Sequence, residues 1–137
     1  MTQKETMEQM LTDVLNQFGS NPKKHRCVRD DGRCLYNPPL KSESIGCAIG
    51  MYLSTKKAKE FDKANMYLED IYNLKKFPKW MLKLPLDFLA SIQNLHDYNE
   101  NWNNNGKGLT NHGCQVVKNI ISAFNLDFKH KYYKPII

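Results

Sequence analysis

The chain has 137 residues, of which 41% are hydrophobic and 25% charged, and its formal net charge is +6 at pH 7. A chain of this length is expected to form one domain, residues 1–137, and to fold without a disulfide or a metal. No apolar run approaches the roughly 20 residues of a membrane span, and the N-terminal residues do not form a secretory signal. We therefore expect a cytoplasmic protein with no membrane partner, whose four cysteines are free thiols.

The first predicted element is an amphipathic helix. Thr2 and Glu5 have the spacing of a capping box, and apolar residues follow at intervals of three and four as far as Phe18. After a loop, residues 25–36 predict a short β-hairpin with its turn at Asp30–Gly32. Two strands alone are marginally stable, so this hairpin has to pack on helices.

The stretch from Gly46 to Leu53 predicts a short helix, with Ser42 or Ser44 as its N-cap. Gly46 and Gly50 are four residues apart and so lie on one face. Glycine within a helix costs about 1 kcal/mol relative to alanine. We therefore expect a neighbouring helix, or alternatively a ligand, to approach this face closely.

The second half of the chain predicts further helices, a loop rich in asparagine and a tail. The helices are expected at 55–73, 78–82, 85–98 and from Thr110 to 124, the loop at 99–108 and the tail at 127–137. The tail is basic and aromatic, and it is a candidate flexible segment. The predicted fold is mainly α, with four to five helices and one small β-hairpin, so that its class is α+β. The hairpin and the Cys47 helix are expected to pack against the helix that carries His96.

Three residues are candidates for catalysis. A thiol at the start of a helix, such as Cys47, is favoured as thiolate by the helix dipole. His96 and Asp97 could supply a base and the carboxylate that orients it. The alternative is that Cys47 is a small buried hydrophobic residue and His96 a hydrogen-bonded core histidine. The sequence thus leaves open a cysteine-dependent hydrolase or transferase, but it does not favour an enzyme.

Metal, cofactor and nucleic-acid sites have weaker signals. The closely spaced cysteine pairs typical of structural zinc are missing, so we predict no metal site. No glycine-rich phosphate loop is present, and we predict no cofactor. Residues 20–35 and 54–86 carry an excess of basic side chains, which is compatible with nucleic-acid binding. No recognised nucleic-acid motif accompanies them, and this function is not favoured.

Several short segments occur together in an arrangement that resembles one known group of proteins. They are Cys34-x-Tyr36, Gly46-Cys47-Ala48-Ile49-Gly50, Leu95-His96-Asp97 and Trp102. The chain resembles small uncharacterised proteins of bacteriophage and prophage genomes, over roughly residues 5–124. It departs from their pattern in a longer, lysine-rich segment at 56–84.

The resemblance implies a phage-encoded accessory protein that binds and modulates a host protein, with a possible anti-defence role, or that sequesters a small signalling ligand. The candidate ligand-binding residues come from the stretch 33–53 and from the loop after the His96 helix. They are Arg33, Tyr36, Asn37, Gly46, Cys47, Gly50 and Trp102.

Overall fold

The chain folds mainly as helices, which confirms the predicted fold class. A computed structural model gives the structure and describes residues 1–26, 35–37 and 46–135. Two short 3₁₀ turns, Gly50–Tyr52 and Asn99–Asn101, accompany the α-helices of these ranges. The α-helices are α1 (Gln3–Gly19), α2 (Pro22–His25), α3 (Thr55–Lys63), α4 (Leu68–Asn73), α5 (Lys79–Leu82), α6 (Leu86–Asp97) and α7 (Asn111–Phe124).

Helix α1 begins and packs as its sequence predicts. The Thr2 hydroxyl accepts a hydrogen bond from the Glu5 amide at 3.1 Å, and the Glu5 carboxylate accepts one from the Thr2 amide at 3.1 Å. These two bonds satisfy amides that would otherwise lack a partner at the start of the helix. The apolar stripe enters the core with Met7, Met10, Leu11, Val14, Leu15 and Phe18.

Helix α6 is the central element of the fold. It packs against α1, α4 and α7, and it also contacts the turn Asn99–Asn101. Its core side carries Phe88, Leu89, Ile92, Leu95 and His96, all of which are completely buried. The core side of α6 is therefore shielded from solvent by the helices that pack against it.

The predicted helix over residues 55–73 is wrong in one respect, because two helices occupy this range. Helix α3 ends at Lys63, and Asn65 has a left-handed backbone with φ of 51°. Asparagine tolerates this conformation better than most residues, and the left-handed residue stops the helix. The chain therefore turns before α4 begins at Leu68.

The predicted helix from Gly46 to Leu53 is also wrong. Gly46 has φ of +105°, outside the helical region, and only Gly50–Tyr52 forms a 3₁₀ turn. The expected close approach is confirmed, but the backbone of Tyr36 makes it instead of a helix or a ligand. A Cβ atom on Gly50 would lie 2.1 Å from the Tyr36 carbonyl oxygen, and one on Gly46 would lie 2.4 Å from it. Both glycines are thus required by packing.

The predicted hairpin has no support in the described residues. His25 is the last residue of α2, and residues 27–34, which include most of the predicted strands, lie outside the described ranges. Within those ranges, extended pairing is limited to two isolated antiparallel bridges, Trp102 with Leu109 and His130 with Tyr133.

The described part of the tail, residues 127–135, lies against α1. Its Asp127 carboxylate forms an ion pair with Lys4 at 2.8 Å, and His130 Nε2 lies 2.6 Å from Asn16 Oδ1. Tyr133 is only 9% exposed. These contacts join the end of the chain to its first helix.

Candidate functional site

A cavity of about 420 Å³ lies between the start of α4 and the side of α6 that faces away from the core. Helix α6 contributes residues spaced three or four apart, which places them on one face of the helix. Volumes of about 300–1,000 Å³ are typical of ligand sites. The described lining residues are Tyr36, Met66, Tyr67, Leu68, Glu69, Leu86, Asp87, Ala90, Gln93, Asn94 and Asp97.

Gln93 is the most unusual residue in the wall of this cavity. Its side-chain amide Nε2 donates a hydrogen bond to Asp97 Oδ1 at 2.7 Å, and the residue is only 6% exposed. Its carbonyl oxygen, Oε1, is buried and has no hydrogen-bond partner. A buried acceptor without a partner costs about 1–3 kcal/mol. The fold therefore retains an unfavourable group next to a carboxylate.

His96 holds the same carboxylate from the core side. The His96 Nδ1 atom lies 2.8 Å from Asp97 Oδ1, and because a carboxylate can only accept, Nδ1 carries the proton. The ring is completely buried and packs edge-on against Phe18, with centroids 4.6 Å apart. Burial lowers the pKa of His96, against the opposing effect of Asp97, so the imidazole is neutral at pH 7. The hydrogen bond from His96 orients the Asp97 carboxylate.

Three side chains cap the carbonyl end of α6. Arg26 Nε donates to the His96 carbonyl at 2.7 Å, and an Arg26 terminal nitrogen donates to the Asp97 carbonyl at 2.7 Å. Trp102 Nε1 donates to the Leu95 carbonyl at 2.8 Å, and Asn101 Nδ2 donates to the same oxygen at 3.2 Å. The last carbonyls of a helix have no partner within it. This end of α6 is therefore rigidly fixed beside the cavity.

The outer part of the cavity is acidic. Glu69 and Asp87 are exposed and lie in the first turns of α4 and α6, where the helix dipole favours a negative charge. Neither forms an ion pair with any described residue. With Asp97, they make three carboxylates among the described lining residues, which include no lysine, arginine or histidine. This surface is the reverse of the chain as a whole, whose net charge is +6.

The structure brings together only some of the residues predicted for the site. Tyr36 and Asp97 both line the cavity. Asn37 does not line it, and its amide donates to Asp62 Oδ2 at 2.9 Å. Gly46 and Gly50 pack against the Tyr36 backbone. Trp102 is 2% exposed and caps α6 from inside the core. Arg33 lies outside the described residues.

Cys47 differs from its prediction in its chemical state. It is disulfide-bonded, whereas Cys114 is a free, buried thiol. The expectation of free thiols is therefore wrong for Cys47. A sulfur in a disulfide has no thiolate, and this one is completely buried and lies outside the cavity lining. In this state Cys47 cannot act as a nucleophile.

Sequence reasoning missed Gln93, Glu69 and Asp87. A signal was present in α6, because Ala90, Gln93, Asn94 and Asp97 repeat at the same helical spacing as the apolar core residues. A second, polar stripe at this spacing is ordinarily a solvated face. Only the position of α4 and Tyr36 makes it the wall of a cavity.

The described residues offer neither a metal site nor a membrane span. Over residues 1–26, 35–37 and 46–135, no group of three or more histidine, cysteine, aspartate or glutamate side chains is placed to hold a metal ion. Over the same part of the chain, no helix combines the length and the apolar character needed to cross a membrane.

Comparisons with protein-family models, with curated proteins and with solved structures find no match to this chain. The geometry of the cavity therefore carries the functional interpretation.

Proposed function

We propose that this protein is a binding protein that acts by occupancy, and that the cavity between α4 and α6 holds the bound group. The observation that carries the proposal is the unpartnered Gln93 Oε1 next to Asp97 in the cavity wall. A ligand that donates a hydrogen bond would supply the partner that the fold does not. Sites that bind small groups commonly combine apolar walls with a few convergent polar atoms, as this cavity does.

Binding is favoured over catalysis by the states of the three candidate catalytic residues. Cys47 is disulfide-bonded, and His96 is completely buried in the core. A nucleophile and a general base both have to reach the substrate, directly or through one water. Of the three, only Asp97 lines the cavity, and a single oriented carboxylate is suited to binding.

The proposal extends to biological role through the sequence segments that resemble those of phage proteins. We place the protein among phage-encoded accessory proteins that act in the host cytoplasm. There it would modulate a host protein or sequester a small signalling ligand, and so counteract a defence system of the host. The acidic lining supports the first of these, because phosphate-containing signals would be repelled by Glu69, Asp87 and Asp97. The same repulsion makes the cavity unsuited to nucleic acid.

The experiment that tests this function fills the cavity. Ala90 is half-buried in the lining, and Ala90→Phe would occupy the space that a ligand needs. The matched control is Ala123→Phe, at an exposed position of α7 away from the cavity. Each protein is expressed in a bacterial host and purified, and bound proteins and small molecules are identified by mass spectrometry. Circular dichroism checks that both variants keep their helices.

We expect a species that is bound to the wild type and to Ala123→Phe, and absent from Ala90→Phe. Equal binding by all three proteins would show that the cavity is not the site. A wild type that binds nothing would contradict function by occupancy in that host.

A further inference from the structure

We propose that the group bound in the cavity is a protonated alkylguanidinium or alkylammonium, carried either by a basic side chain of a partner protein or by a free small cation. This inference rests on the proposed function and names its ligand class. It follows from the charge, the acceptor geometry and the apolar lining of the cavity.

The charge of the cavity selects a cation. Glu69, Asp87 and Asp97 are the only ionisable acids or bases among the described lining residues, apart from the tyrosines. Glu69 and Asp87 have no ionic partner among the described residues. A concave surface with one sign of charge raises the local concentration of the opposite sign. An ammonium or guanidinium group would complete these ion pairs.

Two acceptor atoms of the described lining residues, Gln93 Oε1 and Asp97 Oδ2, receive no hydrogen bond from a described residue. Gln93 Oε1 is buried without a partner, and Asp97 receives its two side-chain hydrogen bonds at Oδ1. Asp97 Oδ2 accepts no hydrogen bond from a described residue. Guanidinium and ammonium groups carry several N–H donors and no acceptor, so they match these two acceptor atoms. This match does not depend on the negative charges of Glu69 and Asp87 in the outer part of the cavity.

The remaining lining is suited to an alkyl stem. Leu68, Leu86 and Ala90 are half-buried in the lining, and Tyr36 also forms part of the wall. Lysine and arginine side chains place their methylene groups on such apolar surface while the charged end reaches polar atoms. The cavity therefore fits both parts of an alkyl cation.

The positively charged Arg26 lies beside Asp97 at the end of α6. Its guanidinium donates to the main-chain carbonyls of His96 and Asp97, and it forms no ion pair with the Asp97 carboxylate. Its hydrogen bonds therefore hold the Arg26 guanidinium at the end of α6, and its positive charge offsets part of the negative charge of Asp97. For this reason, the decisive test uses Glu69, which lies on the opposite helix.

The test titrates ¹⁵N-labelled protein with n-butylguanidinium and with n-butylammonium, and follows the amide and side-chain resonances of α4 and α6. N-butylurea, a neutral molecule of similar shape, and inorganic phosphate serve as comparison ligands. The variant is Glu69→Gln and its matched control is Asp70→Asn. Asp70 lies in the same first turn of α4 and is exposed, but it does not line the cavity.

We expect both cations to shift resonances of Gln93, Asn94 and Ala90, and the urea to bind at least about fivefold more weakly, since it has no charge to pair. Glu69→Gln should weaken cation binding by about threefold, and Asp70→Asn should change it by less than about 1.5-fold, as expected for one partly exposed ion pair. Equal binding of urea and cation, preference for phosphate, or equal effects of the two variants would each overturn the inference.

A blocked peptide, acetyl-Gly-Arg-Gly-amide, separates the two sources of the cation. Tighter binding of the peptide than of n-butylguanidinium assigns the site to a protein side chain, and weaker binding assigns it to a free small molecule. If urea or phosphate shifts the cavity resonances while the cations do not, the cation inference fails and function by occupancy stands. If none of the ligands shifts them and Ala90→Phe retains the bound species, both fail.

Discussion

The two sides of α6 differ in how completely their groups are satisfied. On the core side, Phe88, Ile92 and Leu95 are completely buried, and the carbonyls at the end of the helix are capped by Arg26 and Trp102. On the cavity side, a buried oxygen of Gln93 lacks a partner. The core side is organised for stability, whereas the cavity side keeps an unsatisfied group that packing alone does not require. We take this difference as the mark of a binding surface.

The largest expected effect comes from the core side. Ile92→Ala removes completely buried methyl and methylene groups from the core, and we expect it to lower the free energy of unfolding by about 3 kcal/mol. Asn94→Ala, at an exposed position on the cavity side, should change it by less than about 0.5 kcal/mol. Urea unfolding followed by circular dichroism measures both. Similar losses from the two substitutions would erase the distinction between the sides.

The cap at the end of α6 is expected to have the next largest effect. Arg26→Ala leaves the His96 and Asp97 carbonyls without their donors, and we expect a loss of about 2 kcal/mol in the free energy of unfolding. Lys23→Ala provides the control, since Lys23 is an exposed basic residue of α2. A loss no larger than that of Lys23→Ala would mean that Arg26 does not fix this end of the helix.

A smaller effect is expected from pH. Burial lowers the pKa of His96 below its usual value of about 6.5, so the unfolded chain binds the proton more readily than the folded one. Stability is therefore complete above about pH 6.5 and falls as the pH drops from there toward the folded pKa. Asp97 opposes this shift and Arg26 adds to it.

His96→Asn isolates this contribution, because the asparagine amide can still donate to Asp97 but does not titrate. Thermal unfolding between pH 7.5 and pH 5 should show a shallower decline for this variant than for the wild type. A residual slope is expected from His130, whose pKa is also lowered by burial. Equal slopes for His96→Asn and the wild type would show that His96 is not the titrating group.

Local signals predicted the elements that depend on neighbouring residues in the chain. The capping box of Thr2 and Glu5, the stripe of α1 and the Thr110 cap of α7 all follow from short-range spacing. His25 proved to be helical, so the predicted hairpin does not begin there, and the helix predicted at Gly46 is wrong because the Tyr36 backbone, distant in sequence, crosses these residues. Contacts of that kind override local propensity.

The candidate site was predicted only in part for the same reason. Tyr36 and Asp97 were identified from their segments, but the cavity exists because α4 lies beside the polar stripe of α6. Neither Glu69 nor Gln93 is unusual within its own helix, where one is a first-turn acid and the other a polar residue. Their significance depends on the tertiary arrangement, which single-sequence periodicity does not contain.

The most direct test of the central claim is Gln93→Met, with stability and binding measured on the same protein. Methionine keeps the length of the side chain and removes the unpartnered oxygen, while Asp97 Oδ1 keeps its hydrogen bond from His96. We predict a free energy of unfolding within about 1 kcal/mol of the wild type, or higher, because a buried acceptor without a partner is lost. We also predict at least about a fivefold loss of n-butylguanidinium affinity, as expected when a charge-assisted hydrogen bond is removed. A destabilised variant that binds the cation as tightly as the wild type would contradict the account, since Gln93 would then serve the fold and not the ligand.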